Sequence, residues 1–493
     1  MQFTEISRPV RYHEDASALF HALGGASARS SVLLESADIQ SKEGLQSIAV
    51  LKASARFTCS GFTVAAEALS PRGAAVIFEM EQKGVSFSYS RATAAEEADR
   101  LKEPSTMDVL RAALGVGEEG ARLPYLAGGI AFDYLETFEE LPEVSASANR
   151  YPDYQFLLAE VLLVVDHTSK TATLYGYDED LIHRYAQQIA EDLPSHPIPA
   201  FASGPVAAIA SPGDETFKQD VEKLKQNIYN GDIYQVVPAR TFSMSCPDAF
   251  VAYRRLRETN PSPYMFYIRG VDAEDTPYEL FGASPESNLK YDAATRFLQL
   301  CPIAGTRPRG ATEELDIRAE LELRTDAKEL AEHTMLVDLA RNDVARVAAP
   351  NTRRVEDLMR IDRYSRVMHL VSRVTATLAP DFDAFDAYRA CMNMGTLTGA
   401  PKLRANELLR SVEGTRRGSY GGSVGYFDGA GNMDNCIVIR SAFVQHGIAH
   451  VQAGAGIVRD SDPQSEANET YHKSLATLSA IAEAQGADLT VER

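Results

Sequence analysis

The sequence contains no tryptophan, and its five cysteines are widely separated, with no Cys-x-x-Cys pair. This spacing excludes a disulfide-stabilised scaffold and the usual zinc-binding framework, and it is typical of a reducing compartment. The absence of tryptophan excludes nothing by itself, because tryptophan is rare in most proteins. We therefore expect a fold that depends on an ordinary hydrophobic core.

Basic residues are scarce relative to acidic ones. The chain has 49 lysines and arginines against 69 aspartates and glutamates, which gives a formal net charge of -20. Nucleic acids and anionic membranes bind surfaces with an excess of lysine and arginine, so neither is an expected partner. An anionic substrate would have to be held by local positive charge, against the field of the whole chain.

Long apolar runs are also missing. The most apolar stretch, residues 156–165, is interrupted by Glu160 and is too short to span a bilayer. The first residues lack the apolar core of a signal peptide. We therefore expect a cytoplasmic protein with no membrane partner.

The 493 residues, of which 45% are hydrophobic, suffice for two lobes or one large layered body. Short β-rich runs alternate with a few helical patterns, and the short turns between them favour antiparallel pairing. We predict the α+β class rather than a doubly wound parallel sheet. Residues 195–213, rich in proline, glycine and serine, are interpreted as a linker between an N-terminal region, 1–200, and a second domain, 211–485.

The clearest helix signal follows this linker. Asp214 can cap a helix whose apolar residues recur at helical spacing, namely Phe217, Val221, Leu224 and Ile228. Gly231 is expected to end the helix. Residues 233–238 are then predicted to form a strand that enters the core.

A second helix is predicted over residues 322–343, which contain no glycine or proline. Glu329 and Glu332 lie three apart and so share one face. Neighbouring carboxylates repel each other unless they are neutralised, and a hard divalent cation is the usual means. The alternative is a solvated acidic face beside Lys328, and this segment alone leaves both interpretations open.

The same spacing occurs again near the C-terminus, at Glu466 and Glu469. Two such pairs could face each other across one site. Four carboxylates, some acting directly and some through water, would satisfy an octahedral Mg²⁺ ion.

Four segments make the chain recognisable: 302–307 (PIAGTR), 326–333 (DAKELAEH), 395–402 (GTLTGAPK) and 453–457 (AGAGI). With them the chain resembles the chorismate-utilising enzymes and, among these, the large subunits (component I) of anthranilate synthases. The resemblance is dense over residues 211–480 and thinner over 1–200. It implies large, mainly antiparallel stacked β-sheets flanked by helices, with the N-terminal region contributing strands to the same body.

The resemblance also implies a reaction. Members of this family add a nucleophile to the diene of chorismate and expel its hydroxyl group as water, which requires a metal ion and a general acid. By resemblance, Glu332 and Glu469 match the direct Mg²⁺ ligands, while Glu329 and Glu466 match the residues that reach the metal through water.

Two further pairs match the residues that carry the chemistry. Glu286, with Thr306 beside it, matches the acid for the departing hydroxyl group. His369, beside Thr396, matches the residue tied to the later loss of pyruvate. Taken alone, Glu286 could be a carboxylate in a turn and His369 a core histidine with its hydrogen bonds satisfied.

Six residues match positions that hold the substrate or lie beside the metal: Tyr420, Arg440, Gly454, Ala455, Gly456 and Lys473. Arg440 falls in an expected strand, and its guanidinium suits a carboxylate. The two glycines could let backbone N–H groups meet a carboxylate, although a Gly-Ala-Gly triplet could equally be a bulge. Lys473 alone would be interpreted as a surface lysine.

The nucleophile follows from two positions. Where isochorismate and salicylate synthases carry a lysine that activates water, this chain has Gln235, whose neutral amide cannot take up a proton. Where aminodeoxychorismate synthases often carry a lysine nucleophile, it has Ala304. Ammonia, already nucleophilic, is therefore the expected reagent, and in the absence of a glutaminase cysteine motif we expect a separate glutamine amidotransferase subunit to supply it.

Two segments, 33–37 and 260–266, resemble the halves of a tryptophan feedback site. The residues concerned are Leu34, Glu35, Ser36, Asn260, Pro261, Pro263, Tyr264 and Met265. Glu35 could bind the amino group of the inhibitor, and the proline-rich turn could pack against its indole ring. Taken alone, however, each segment could be a strand end or a turn.

The sequence thus predicts a Mg²⁺-dependent lyase that makes anthranilate and pyruvate for tryptophan biosynthesis and is inhibited by tryptophan. One alternative stops at 2-amino-2-deoxyisochorismate, and another supplies anthranilate to a secondary pathway. A third, a non-catalytic tryptophan-binding homologue, would be expected to have lost some of the four carboxylates.

Overall fold

The two longest strands that pair with each other, β3 and β6, form the centre of the β-structure, and their pairing spans residues 46–59 and 154–166. The structure is a computed structural model that describes residues 4–36, 45–117, 120–192, 204–363 and 367–493. The strands are β1 (Ile6–Val10), β2 (Ser31–Glu35), β3 (Gln46–Ser60), β4 (Thr63–Ala68), β5 (Tyr125–Ile130), β6 (Tyr154–Asp166), β7 (Thr171–Gly176), β8 (Val206–Ser211), β9 (Gln235–Val236), β10 (Ala239–Ser245), β11 (Tyr264–Val271), β12 (Pro277–Ser284), β13 (Ser287–Asp292), β14 (Phe297–Leu300), β15 (Ile303–Pro308), β16 (Arg354–Arg363), β17 (Val367–Thr377), β18 (Gly399–Ala400), β19 (Ser423–Asp428), β20 (Met433–Ile437), β21 (Ser441–Gln445), β22 (Ile448–Gly454) and β23 (Leu489–Glu492).

Helices cover the strands. They are α1 (Ala16–Ala22), α2 (Pro71–Gln82), α3 (Glu97–Arg100), α4 (Met107–Leu114), α5 (Glu179–Ala190), α6 (Asp214–Asn230), α7 (Ala249–Thr259), α8 (Glu313–Thr325), α9 (Ala327–Ala345), α10 (Ala384–Cys391), α11 (Lys402–Glu413) and α12 (Pro463–Ala484). Within the described ranges, no helix is both long and apolar enough to cross a membrane.

The N-terminal strands are hydrogen-bonded to strands from the second half of the chain. β2 pairs with β11, and β5 pairs with β19. Between the described strands, every pairing is antiparallel except that of β8 with β23. The α+β prediction, with its mainly antiparallel sheets and flanking helices, is confirmed.

Close backbone approach explains why glycines face each other in this sheet. Gly128 of β5 is opposite Gly425 of β19. A Cβ atom added to Gly128 would lie 2.0 Å from the carbonyl oxygen of Gln155, and one added to Gly425 would lie 2.2 Å from that of Asp434. Neither position can accept a side chain without moving a neighbouring strand.

Several expected elements differ from those observed. The single helix expected over 322–343 is two helices, because the carboxylate of Asp326 accepts hydrogen bonds from the backbone of Lys328 and Glu329 and starts α9 anew. α6 is confirmed, but Gly213 is its N-cap because the Asp214 side chain pairs with Arg240 instead. The expected strand at 233–238 is reduced to the two residues of β9.

The expected linker at 195–213 is also different. Residues 206–211 form β8, which pairs with β10 and β23. The part of the linker at 195–203 lies outside the described residues. The division of the chain into 1–200 and 211–485 stays a prediction.

A buried ion pair joins α9 to α11. Nζ of Lys402 lies 2.5 Å from Oδ2 of Asp343, and their side chains are only 9% and 4% exposed. Lys402 also donates to the carbonyl oxygen of Cys391 at 3.2 Å. Because both charges are removed from water, each depends on the other for stabilisation.

We expect Lys402→Met to lower the free energy of unfolding by about 3–5 kcal/mol, because Asp343 is left as an uncompensated buried charge. Urea denaturation would measure the change. The matched control is Lys223→Met, which breaks a pair whose lysine is 67% exposed and should change stability by less than about 1 kcal/mol. Equal effects of the two substitutions would contradict the prediction, and Lys402→Met combined with Asp343→Leu should recover much of the loss.

Candidate active site

Two helices begin in the same way and each presents a pair of carboxylates in its first turns. Asp326 caps α9, whose early residues include Glu329 and Glu332. Asp462 caps α12, whose early residues include Glu466 and Glu469. The predicted spacing of three therefore places each pair on one helical face.

The two pairs lie close enough to influence each other. Burial raises the pKa of Glu332, and the negative charges of Glu329 and Glu469 raise it further. Burial likewise raises the pKa of Glu466, with a contribution from Glu469. Carboxylates from α9 and α12 therefore share one electrostatic environment.

Protein groups compensate only part of this negative charge. Arg307 donates to Glu329 at 2.9 Å, and Lys473 pairs with Glu469 at 2.6 Å. Glu332 accepts a hydrogen bond from Nε2 of Gln235 at 3.1 Å. Among the described residues, neither Glu332 nor Glu466 forms an ion pair.

The donor set fits a hard divalent cation, because the buried carboxylate of Glu466 and the half-buried one of Glu332 form no ion pair within the described residues, and all four carboxylates offer oxygen ligands. The four are not preassembled into a tight cage: in the described part of the chain, no group of three or more histidine, cysteine, aspartate or glutamate side chains is placed to hold a metal ion. Instead, Arg307 forms an ion pair with Glu329 and Lys473 forms one with Glu469, so two of the four expected ligands already have a basic partner.

Glu286 is a buried carboxylic acid that follows β12. Burial raises its pKa to about 8, and the hydrogen bond from Thr396 and the charge of Arg440 oppose this rise only in part. Oγ1 of Thr396 donates to Oε1 of Glu286 at 3.2 Å. Glu286 is therefore largely protonated at neutral pH, as a general acid must be.

His369 lies in β17, opposite Thr306 of β15. Oγ1 of Thr306 and Nδ1 of His369 are 2.9 Å apart. Burial lowers the pKa of His369 to about 4, so its imidazole is neutral and can accept a proton. The expected pairs were Glu286 with Thr306 and His369 with Thr396. In the structure the two threonines are exchanged, since Thr396 contacts Glu286 and Thr306 contacts His369.

Arg440 does not lie within a strand, contrary to the expectation. It occupies the bend between β20 and β21, with φ of 51°. Burial lowers its pKa, while the nearby Tyr420, Glu286 and Glu469 oppose the shift. No carboxylate of the described residues forms an ion pair with this guanidinium, so it is available to an anionic ligand.

The Gly-Ala-Gly segment packs against these residues. A Cβ atom on Gly454 would lie 3.1 Å from the hydroxyl oxygen of the buried Tyr420, and one on Gly456 would lie 2.8 Å from Nε2 of Gln235. The N–H of Ala455 donates to the carbonyl oxygen of Pro238 at 3.2 Å. Lys473 is held against this segment, since it also donates to the carbonyl oxygen of Gly454 at 3.0 Å.

Gln235 lies beside the Gly-Ala-Gly segment and is 2% exposed. Its Oε1 is buried and has no hydrogen-bond partner among the described residues. An acceptor oxygen in this state is costly unless a ligand supplies a donor.

The two segments of the expected inhibitor site are neighbours. Glu35 of β2 lies opposite Met265 of β11, and both strands wall a cavity of about 210 Å³. Leu34, Ser36 and Tyr264 also line it, whereas Asn260 and Pro261 do not. Pro263 lines an adjacent cavity that shares Tyr264.

Glu35 lines this cavity and also has partners within the protein. Its carboxylate accepts a hydrogen bond from the hydroxyl group of Tyr253 and pairs with Nε of Arg257 at 3.2 Å. Asp434 is the other carboxylate in the cavity wall, and it accepts a hydrogen bond from Tyr264 at 3.1 Å. Asp434 and Tyr426 were missed because only the long-range pairing of β19 and β20 with the rest of the sheet brings them here.

The family model for chorismate binding enzymes matches residues 65–479. The chain belongs to this family, as the sequence motifs predicted.

Within it, the chain is 46% identical to anthranilate synthase component 1 of Vibrio cholerae over 95% of this chain and 94% of that protein. It is 45% identical to the pyocyanine-specific anthranilate synthase component 1 of Pseudomonas aeruginosa, over 92% of this chain and 90% of that protein.

The fold agrees with solved structures. Anthranilate synthase component I from Streptococcus pneumoniae superposes with a TM-score of 0.69 at 28% identity, covering 89% of this chain and 93% of that one. The menaquinone-specific isochorismate synthase of Escherichia coli has a TM-score of 0.67 at 20% identity, covering 97% and 94%, and shows the shared fold.

We expect Glu286→Gln to stabilise the protein increasingly as the pH rises from about 5 to 8. The folded protein keeps the Glu286 proton up to a pKa of about 8, against the ordinary value of 4.5, so wild-type stability is highest below the ordinary value and falls as the pH rises through the raised one. Thermal unfolding of both proteins across this range measures the difference. A pH-independent difference, or an equal trend for Glu222→Gln, whose carboxylate is 60% exposed, would contradict the assignment.

Proposed function

We propose that the chain is the large subunit of an anthranilate synthase, which converts chorismate and ammonia to anthranilate, pyruvate and water. The observation that carries the proposal is the neutral Gln235, which donates to Glu332 through Nε2 and whose buried Oε1 has no hydrogen-bond partner among the described residues. An amide cannot deprotonate water, but its oxygen can accept a hydrogen bond from an N–H group of ammonia. The lone pair of the ammonia then remains available for attack.

In this proposal Arg440 and Tyr420 bind the pyruvyl end of the substrate. As the nitrogen lone pair forms the C–N bond, the ring double bonds shift and the C–O bond to the hydroxyl group breaks. Glu286 donates its proton to that oxygen, which leaves as water. The new ammonium group on the ring then loses one proton to become the amine, which balances the proton that Glu286 gave. The raised pKa of Glu286 provides the proton at neutral pH.

The second step removes a ring proton and releases the enolpyruvyl group, which gains a proton to become pyruvate. His369 is assigned to this step, because its neutral imidazole can accept a proton and Thr306 fixes its orientation. A bound Mg²⁺ ion, held by Glu332, Glu469, Glu329 and Glu466, would neutralise the ring carboxylate of the substrate.

A glutamine amidotransferase subunit is proposed as the ammonia source, and tryptophan as an inhibitor that occupies the cavity between β2 and β11. The product is assigned to tryptophan biosynthesis.

The similarity to a pyocyanine-specific relative favours a secondary pathway as the second candidate. A non-catalytic homologue is disfavoured, because the four carboxylates and the protonated acid are all present.

Purified protein with chorismate, Mg²⁺ and an ammonium salt at alkaline pH should produce anthranilate, which is followed by its fluorescence. Glu332→Gln should lower the rate by at least about 100-fold, because it removes a charged metal ligand. The control Glu322→Gln changes an exposed carboxylate at the end of α8 and should keep full activity. Unchanged chorismate with wild-type protein, or equal rates for the two variants, would refute the assignment.

Tryptophan should suppress this rate if the cavity is the inhibitor site. Asp434→Asn should raise the half-inhibitory tryptophan concentration by about tenfold or more, because it removes a charge-assisted hydrogen bond to the amino group. The control Asp381→Asn, at a carboxylate that is 74% exposed, should leave inhibition unchanged. An active enzyme that tryptophan does not inhibit would instead indicate the secondary pathway.

A further inference from the structure

Arg417 is a buried arginine that lies between the segments carrying Tyr420 and Thr396, and the proposed reaction does not use it. It is only 2% exposed. Its Nη1 donates to the carbonyl oxygen of Leu397 at 2.7 Å, and its Nη2 donates to the carbonyl oxygen of Val237 at 2.7 Å. One guanidinium therefore joins two backbone segments that are far apart in sequence.

Glu413 fixes the orientation of this guanidinium. Nε of Arg417 donates to Oε2 of Glu413 at 2.8 Å, and Nη2 also donates to Oε1. Glu413 is itself held in place, because its Oε1 accepts a hydrogen bond from the N–H of Ala239 at 2.9 Å. Burial disfavours the charge on Arg417, but the Glu413 carboxylate outweighs burial and raises the pKa of Arg417 above its ordinary value. The guanidinium therefore stays charged and is held as one member of a bidentate pair.

Both backbone acceptors of Arg417 adjoin groups of the site. Leu397 directly follows Thr396, whose hydroxyl group donates to Glu286. The residue after Val237 accepts, through its carbonyl oxygen, the N–H of Ala455 in the Gly-Ala-Gly segment. A displaced guanidinium would therefore disturb the hydroxyl group that contacts the proton donor and the backbone that holds this segment.

The side chain of Arg417 also packs against the ring of Tyr420. Its Cζ lies 5.7 Å from the centroid of that ring and 4.5 Å from the centroid of the Phe132 ring. Such cation–π contacts orient both partners. The N–H of Phe132 donates to the carbonyl oxygen of Gly418 at 2.9 Å, which anchors the turn between Arg417 and Tyr420. The position of the Tyr420 ring thus depends on the guanidinium beside it.

Arg417 acts through its neighbours and not by contact with a substrate. Its hydrogen bonds to Glu413, Leu397 and Val237 use four of the five N–H groups of a guanidinium. The side chain is also buried. A planar fork can hold a carboxylate and two carbonyl oxygens at fixed relative positions, which the single nitrogen of a lysine cannot do.

We propose that Arg417 is a positioning residue that sets the places of Tyr420 and Thr396, and thereby the alignment of bound chorismate with Glu286. This inference rests on the proposed function for the roles of Tyr420 and Glu286. A misplacement of about 1 Å can lower the rate of an enzyme by about 100-fold, even when the altered residue is far from the reacting atoms. A loosened fork should therefore weaken both substrate binding and turnover.

The test uses Arg417→Lys, which keeps a positive charge for Glu413 but loses the fork. We expect the dissociation constant of chorismate and its KM to rise at least about tenfold and kcat to fall at least about tenfold. Calorimetry with Mg²⁺ and without ammonia measures binding, and anthranilate fluorescence measures turnover. Glu413→Gln releases one anchor of the same guanidinium and should raise the dissociation constant about threefold or more.

The matched control is Arg389→Lys. Arg389 is likewise buried at 4% exposure, donates to the carbonyl oxygen of Leu101 at 3.1 Å and lies 5.4 Å from the ring of Phe138. Its substitution should lower the melting temperature but leave the dissociation constant, KM and kcat of the folded protein within about twofold of wild type. Circular dichroism gives the folded fraction, and all values are compared per folded protein.

Wild-type binding and kinetics in folded Arg417→Lys would show that Arg417 only stabilises the fold and would overturn the inference. Equal losses in Arg389→Lys would also overturn it. If Arg417→Lys does not fold, an unchanged dissociation constant in Glu413→Gln would have the same meaning. Wild-type protein that binds chorismate without forming anthranilate would refute the proposed function alone, because the dissociation constants still test Arg417. Wild-type protein that binds no chorismate would overturn both.

Discussion

Repulsion among the carboxylates of α9 and α12 is the interaction on which the architecture of the site depends. Four negative groups in partly buried surroundings would separate if their helices were free to move. The ion pair between Lys402 and Asp343 holds α9, while the buried guanidinium of Arg240 holds α12 through Thr470 and the carbonyl oxygen of Ala467. The fold thus keeps together like charges that a bound cation would neutralise.

Burial, which raises the pKa of these carboxylates, also determines the protonation states of Glu286 and His369. Glu286 retains its proton and His369 loses its own because burial disfavours the charged form of both. One physical cause therefore yields a protonated carboxylic acid and a neutral imidazole at the same pH. Arg440, whose guanidinium stays charged, adds to the positive charge that Arg307 and Lys473 bring to this site.

Local patterns predicted much of this structure. The α+β class, helix α6 and the placement of the two carboxylate pairs followed from periodicity, spacing and motif resemblance. These features depend on residues within a few positions of each other, so a single sequence contains the required information. The break at Asp326 was missed because one capping side chain outweighs the helical propensity on both sides of it.

The remaining differences arise from distant parts of the chain. The exchange of Thr306 and Thr396, the contacts of Glu35 with Tyr253 and Arg257, and the contribution of Asp434 to the cavity all depend on how segments far apart in sequence pack together. Spacing within one segment contains no information about that packing or about the register of its strands with others.

The pairing of β11 with β12 has a mechanical consequence. Tyr264, in the cavity wall, lies directly opposite Ser284, and Ser284 contacts Glu286 two residues further along the chain. The cavity wall and the buried carboxyl group are therefore joined by one strand pair and two residues of chain. Their separation is in this sense built into the register of two strands.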